Sequence, residues 1–154
     1  MRIEPTSPDS EGARPLIAMS DAYMAALYPS ESNHLESVAA LLHPNVFFVG
    51  CFLDDRIVGC GAIKMLSDDG HYGEIKCVFV LSSHRGKGYS RAIMEHLEGR
   101  LKSLGVTLAR LETGIRQPEA LGLYRRLGYL ERGPFGAYME DPLSVFMEKR
   151  LGVS

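Results

Sequence analysis

The sequence has no apolar run long enough to cross a bilayer as a helix. Its longest, Val46-Phe47-Phe48-Val49-Gly50-Cys51-Phe52-Leu53, is eight residues, where a helical span needs about 20. The first residues, Met1-Arg2-Ile3-Glu4-Pro5, lack the apolar core of a secretory signal, so a cytoplasmic protein is the default expectation. A basic excess is also missing. Seventeen Lys and Arg against nineteen Asp and Glu give a net charge of -2, which argues against nucleic acid as a partner. Cysteine is scarce. Cys51, Cys60 and Cys77, at spacings of 9 and 17, match no zinc pattern and sit in apolar stretches, so buried reduced thiols are expected. His34, His43 and His71 are scattered without ligand-like spacing, and no metal site is expected. There is no internal repeat, no low-complexity tract and no Pro/Gly/Ser linker, which implies one domain over residues 1–154.

What is present is a change of hydrophobic period along the chain. Arg2 to Thr6 reads as a short edge strand. Ser7-Pro8-Asp9 looks like a helix entry, with Leu16, Met19, Tyr23 and Leu27 as the stripe of the helix that follows. A second short helix is expected from about Ser32 to Leu42. The pattern then becomes that of strands. Residues 46–53, 56–66 and 71–81, separated by Asp54-Asp55 and Ser67-Asp68-Asp69-Gly70, predict an antiparallel meander. Ile93, Leu97, Leu101 and Leu104 lie on one face of a helix over about 87–104, which Gly105 stops. A strand over 106–113, a helix from Pro118 to Gly128, and strands near 129–131 and 144–149 complete the order β-α-α-β-β-β-α-β-α-β-β. This is an α/β sandwich with a mixed sheet. The strand–helix–strand unit over 71–113 should be a right-handed crossover with parallel strands.

Between the third meander strand and its helix lies Ser82-Ser83-His84-Arg85-Gly86-Lys87-Gly88-Tyr89-Ser90. The first N–H groups of a helix lack partners and the helix dipole places partial positive charge there. Glycines let the backbone approach an anion, and Arg85 and Lys87 add charge. The loop is not a Walker loop, because only Lys87 separates Gly86 from Gly88. Nor is it a dinucleotide fingerprint, because Arg91 stands where the third glycine is required.

Residues 74–91, Glu-Ile-Lys-Cys-Val-Phe-Val-Leu-Ser-Ser-His-Arg-Gly-Lys-Gly-Tyr-Ser-Arg, resemble the acetyl-CoA motif R/Q-x-x-G-x-G/A of the GNAT N-acetyltransferase superfamily. Ser83 departs from Arg/Gln at the first motif position. A second block, residues 111–129, resembles the later motif A-x-x-L-Y-x-x-x-G-F/Y at Ala120, Leu123, Tyr124, Gly128 and Tyr129. The resemblance covers about residues 71–150. It is to small, single-domain bacterial members.

The resemblance implies an α+β three-layer fold with a twisted, mixed and mostly antiparallel sheet flanked by helices. It implies acetyl-CoA as co-substrate, with Val78, Phe79 and Val80 along the pantetheine arm and Arg85, Gly86, Lys87, Gly88, Tyr89 and Ser90 around the pyrophosphate. It also implies transfer of the acetyl group to a primary amine by direct attack, without a covalent enzyme intermediate. Such a reaction needs a proton acceptor and a proton donor. Glu74 is the candidate base, although strand parity also sets it beside Lys76 as an ion-pair partner. Tyr124 is the candidate acid, with a packed core tyrosine as the alternative. Tyr28, His34, Arg116 and Tyr138 are candidate acceptor-binding residues, Arg116 through an acceptor carboxylate of the amino-acid kind. A small-molecule amine is the expected acceptor and a homodimer the expected assembly. A non-catalytic acetyl-CoA-binding regulatory module and a protein N-terminal or lysine acetyltransferase are the alternatives.

Overall fold

The computed structural model describes residues 1–152. Its elements are β1 (Arg2–Pro5), α1 (Ala13–Leu27), α2 (Val38–Leu41), β2 (Val46–Leu53), β3 (Arg56–Leu66), β4 (Tyr72–Val80), α3 (Tyr89–Ser103), β5 (Leu108–Gly114), α4 (Pro118–Arg126), β6 (Leu130–Arg132) and β7 (Ser144–Arg150). The order is the one the hydrophobic periods predict, and β2 and β3 occupy the expected residues. The seven strands form one sheet in the order β1-β2-β3-β4-β5-β7-β6. Only β4 and β5 are parallel; every other pair is antiparallel. β7 inserts between β5 and β6, which a linear reading does not show.

Helix α3 supplies the largest share of one core layer. Ile93, Met94, Leu97 and Leu101 are fully buried against the sheet, each contributing roughly 1.5–3 kcal/mol on burial. Leu104 is half exposed, because it lies past the last helical residue. Tyr124 and Leu127 from the α4 segment join the same cluster. On the opposite face Ala13, Leu16 and Ile17 of α1 pack with Leu41, Phe48, Cys60 and Ala62. Helices on both faces give the three-layer arrangement.

Two helix expectations need correction. Helix α1 begins at Ala13, not at Ser7-Pro8-Asp9, where the Ser7 and Ser10 side chains instead accept backbone N–H bonds in turns. Its buried face is Ala13, Leu16 and Ile17, and Met19 and Tyr23 are exposed. The second helix shrinks to Val38–Leu41, capped by Ser37, whose hydroxyl accepts from the Ala40 N–H at 3.0 Å. Ahead of it Ser30–Ser32 forms a single 3-10 turn.

The turn after β5 is fixed by Tyr28. Its hydroxyl donates to Gln117 Oε1 at 3.2 Å and accepts from the Arg116 N–H at 3.0 Å. The ring lies directly over Gly114, where an added Cβ would fall 1.9 Å from the hydroxyl oxygen. A buried ring cannot yield that much without leaving both bonds. Gly114→Ala should therefore lower stability by about 1–3 kcal/mol, the usual cost of overpacking, read from chemical denaturation.

Candidate active site

Strands β4 and β5 pair only from Gly73–Ile75 with Ala109–Leu111. Beyond Ile75 the edge of β4 facing β5 has no strand partner. The cause is local. In the pairing with β3, Lys76 opposes Ala62 and Phe79 opposes Cys60, so β4 bulges over Cys77 and Val78. Cys77 takes the left-handed conformation at φ 57, rare for a residue with a side chain, and the Cys60 thiol donates to its carbonyl at 3.3 Å. A bulge bends its strand and sharpens its twist. Here it turns β4 away from β5 and opens a wedge in the sheet.

A groove of about 730 Å³ occupies the wedge. Val78, Phe79 and Val80 line one wall, and Pro118, Ala120, Leu123 and Tyr124 of α4 line the other. Its far end is closed by His84, Arg85, Gly86, Gly88, Tyr89 and Ser90. Gly86 and Gly88 sit at φ 76 and 84, and an added Cβ at either would meet nothing. Their requirement is conformational, because left-handed backbone is costly for a residue with a side chain, and Gly88 is the N-cap that leads into the unpartnered first amides of α3. Arg85 is folded back. Its Nε donates to the Val80 carbonyl at 3.1 Å and its guanidinium stacks over Tyr23 and Phe79. Lys87 is absent from the lining, while Arg91 and Arg126 are part of it. His84 also lines the groove, with Nδ1 2.8 Å from the Ser83 hydroxyl.

A smaller cavity of about 110 Å³ opens off the groove at the splay. Ser20, Met24, Val78, Gln117 and Tyr124 border both. Tyr124 is 9% exposed, burial pushes its phenol up to about 12, and among the described residues its hydroxyl has no hydrogen-bond partner. It stacks edge-on against Tyr129, whose hydroxyl donates to the buried Glu98 at 2.8 Å. The phenol is thus held from behind and free at its tip, where groove and cavity meet.

The cavity is lined with charge. Lys76 sits at its centre, with Nζ 3.1 Å from Glu36 and 3.4 Å from Glu74, and it donates to the Tyr138 hydroxyl at 3.0 Å. The Tyr138 hydroxyl donates in turn to Glu74 Oε2. Burial would lower the lysine, but Glu74, Tyr138 and Glu36 together hold it well above the usual lysine value. Glu36 is shared with Lys64. Burial would raise its carboxyl, and the two lysines hold it below the usual range. Glu112 of β5 behaves differently. It accepts from the Ser144 hydroxyl at 2.9 Å, and among the described residues its one ion-pair contact is His34 at 3.7 Å, with Lys76 acting on it from farther away. Burial pushes its carboxyl up. Asp21 of α1 is likewise raised by burial. Cys77 lines the cavity as well, and burial raises its thiol to about 11, so it is a neutral thiol at neutral pH.

Among the sequence-derived candidates, the structure brings Glu74, Tyr124, His34 and Tyr138 to this cavity. His34 and Tyr138 stack edge-on with ring centroids 5.0 Å apart. Tyr28 and Arg116 line neither cavity. They hold each other: the Arg116 guanidinium lies over the Tyr28 ring and donates to the Leu27 carbonyl. Sequence reasoning missed Asp21, Glu36 and Glu112. A carboxylate two residues after Arg110 in β5 was the available signal for Glu112, but parity alone does not show that it reaches a cavity. Among the described residues no cluster of His, Cys, Asp or Glu is arranged to hold a metal ion, and no helix is long and apolar enough to cross a membrane.

The chain matches the family model described as Acetyltransferase (GNAT) family over residues 16–129. It is 41% identical over 145 residues to an IAA acetyltransferase of Azospirillum brasilense, covering 94% of each chain. It is 35% identical over 130 residues to the uncharacterized N-acetyltransferase YsnE of Bacillus subtilis (strain 168), covering 83% of this chain and 85% of the relative. Among solved structures, a candidate acyl-CoA N-acyltransferase from Klebsiella pneumoniae subsp. pneumoniae MGH 78578 superposes with TM-score 0.82 at 37% identity, covering 98% of this chain and 97% of that one. A PaiA N-acetyltransferase of Thermoplasma acidophilum, solved in complex with coenzyme A, shares the fold with TM-score 0.73 at 19% identity, covering 97% and 99%.

Lys76 is the only ammonium among the described residues of the cavity lining, and it faces the buried Glu74 and the half-buried Glu36. Lys76→Met should destabilise the protein by about 3–5 kcal/mol at neutral pH, because it strands the buried Glu74 and leaves Glu36 with Lys64 alone. The deficit should shrink in acid. A carboxylate held low, such as Glu36, stabilises above its unfolded value of 4.5 and loses that contribution as pH falls through its folded value. Denaturation curves of both proteins across the acid range check this.

Proposed function

Since the chain belongs to the GNAT acetyltransferase family, we propose that it moves the acetyl group of acetyl-CoA to a primary amine of a small molecule. The observation that carries this reading is the meeting of groove and cavity at the unpartnered Tyr124 hydroxyl. The residues fit the coenzyme. An unpaired edge of β4 beyond Ile75 suits the amide-rich pantetheine arm, and the amides at Gly86 to Ser90, with Arg91 and Arg126 beside them, suit a pyrophosphate. Acetyl-CoA supplies an acetyl thioester.

In this reading the amine nitrogen forms the new N–C bond as the C–S bond breaks, and Tyr124 gives its proton to the departing sulfur. The phenol recovers that proton from solvent. The proton lost by the amine passes to a cavity carboxylate. Glu74 takes this role in our reading, by its place on β4 ahead of the loop. Lys76 and Tyr138 both engage its Oε2, leaving Oε1 for the acceptor or an intervening water. Glu112 is the second reading. It has no lysine partner among the described residues and burial raises its carboxyl, which suits a proton acceptor near neutrality. The relatives' names and the confined cavity favour a small acceptor over a protein terminus. A regulatory module that only binds the coenzyme would have no use for a buried, unpartnered phenol.

Thiol release from acetyl-CoA, screened against amino acids, polyamines, aminoglycosides and arylamines, tests the reading; tight coenzyme binding without release for any amine would overturn it. Tyr124→Phe should lower kcat by about 100-fold or more, the scale of a positioned acid, with coenzyme affinity unchanged by calorimetry. Glu74→Gln should lower kcat by about 100-fold or more, the scale of a positioned base. If Glu112→Gln alone does so, the base is Glu112.

A further inference from the structure

Resting on the transfer reading above, we infer that the acceptor is a cationic amine, carrying a second positive centre and no carboxylate, which Asp21 and Glu112 hold in the inner cavity. Four carboxylates line that cavity, Asp21, Glu36, Glu74 and Glu112, and face one ammonium, Lys76. Lys76 is committed to Glu36, Glu74 and the Tyr138 hydroxyl, which matches its three N–H donors. Arg116, the cation expected from the sequence to receive an acceptor carboxylate, is outside the cavity and bound to Leu27 and Tyr28. An acceptor carboxylate would enter against net negative charge with no free cation to meet it. An ammonium would find two carboxylates without a lysine partner among the described residues. Asp21 has no ion pair there, and Glu112 has only the Ser144 hydroxyl and His34.

The cavity is more than a gathering of acids. Tyr124, nine-tenths buried and unpartnered at its hydroxyl, faces the same space, so the junction offers a free hydroxyl to a bound ligand. Charge on the walls then selects what reaches it. Opposite charges a few ångströms apart in a partly dry cavity interact far more strongly than in water. Like charges placed there weaken binding and suppress the wrong partner.

Three amines of equal chain length separate the possibilities: 1,4-diaminobutane, 1-aminobutane and 4-aminobutanoate. Thiol release at low salt should give kcat/KM for the diamine at least about tenfold above that for the aminobutanoate, and added salt should narrow the gap. Asp21→Asn should reduce the ratio between diamine and monoamine several-fold. An aminobutanoate equal to or better than the diamine overturns the inference, and a ratio unmoved in Asp21→Asn removes Asp21 from it. If no amine releases thiol, the transfer reading fails and calorimetry on the coenzyme A-loaded protein decides the inference separately. Diamine binding weakened by Asp21→Asn sustains it; no diamine binding overturns it.

Discussion

Beyond Ile75, strand β4 has a neighbour on one side only, and the rest of the molecule is arranged around that opening. A sheet edge left unpaired in the middle of a protein is costly unless something satisfies its backbone groups. The bulge at Cys77 creates the opening by spending an extra residue against β3 and forcing a left-handed backbone at a cysteine. Helix α4 then forms the far wall, since β5 cannot. The groove, the inner cavity and the position of Tyr124 between them all follow from this one departure from regular pairing.

The inner cavity shows a second constraint. Buried carboxylates require partners, and one lysine serves two of them while a tyrosine bridges back. That sharing ties β4 to the segment before α2 through Glu36 and to the late loop through Tyr138. It also leaves Asp21 and Glu112 without ammonium partners. Structural satisfaction of Glu36 and Glu74 and chemical availability of Asp21 and Glu112 are therefore two consequences of the same shortage of cations.

The glycine loop illustrates how a short motif can be legible in most of its parts. Gly86 and Gly88 adopt the left-handed conformations that glycine allows, and they precede a helix whose buried stripe was readable from Ile93, Leu97 and Leu101. The cations of that loop were less legible. Arg85 turns back to stack on Tyr23 and Phe79, Lys87 stays outside the groove, and Arg126 reaches it from a helix almost forty residues later in the chain. Long charged side chains go where packing and hydrogen bonds send them, and the sequence position of the charge says little about it.

By itself the sequence determined the order of elements, the meander of β2 to β4, the crossover to β5 and the strand-to-helix turn at residues 82–90. These depend on local periodicity and on glycine, which act over a few residues. It also placed Glu74 beside Lys76, since strand parity is local. Only the tertiary structure decided that Tyr28 and Arg116 clasp a turn instead of facing a ligand. It alone brought Asp21 of α1, Glu36 ahead of α2, Glu74 of β4 and Glu112 of β5 to one cavity. Those four come from segments spread over most of the chain, and their convergence depends on where the sheet parts. That is fixed by the register of β4 against both its neighbours, a property of strand pairs that no single segment carries.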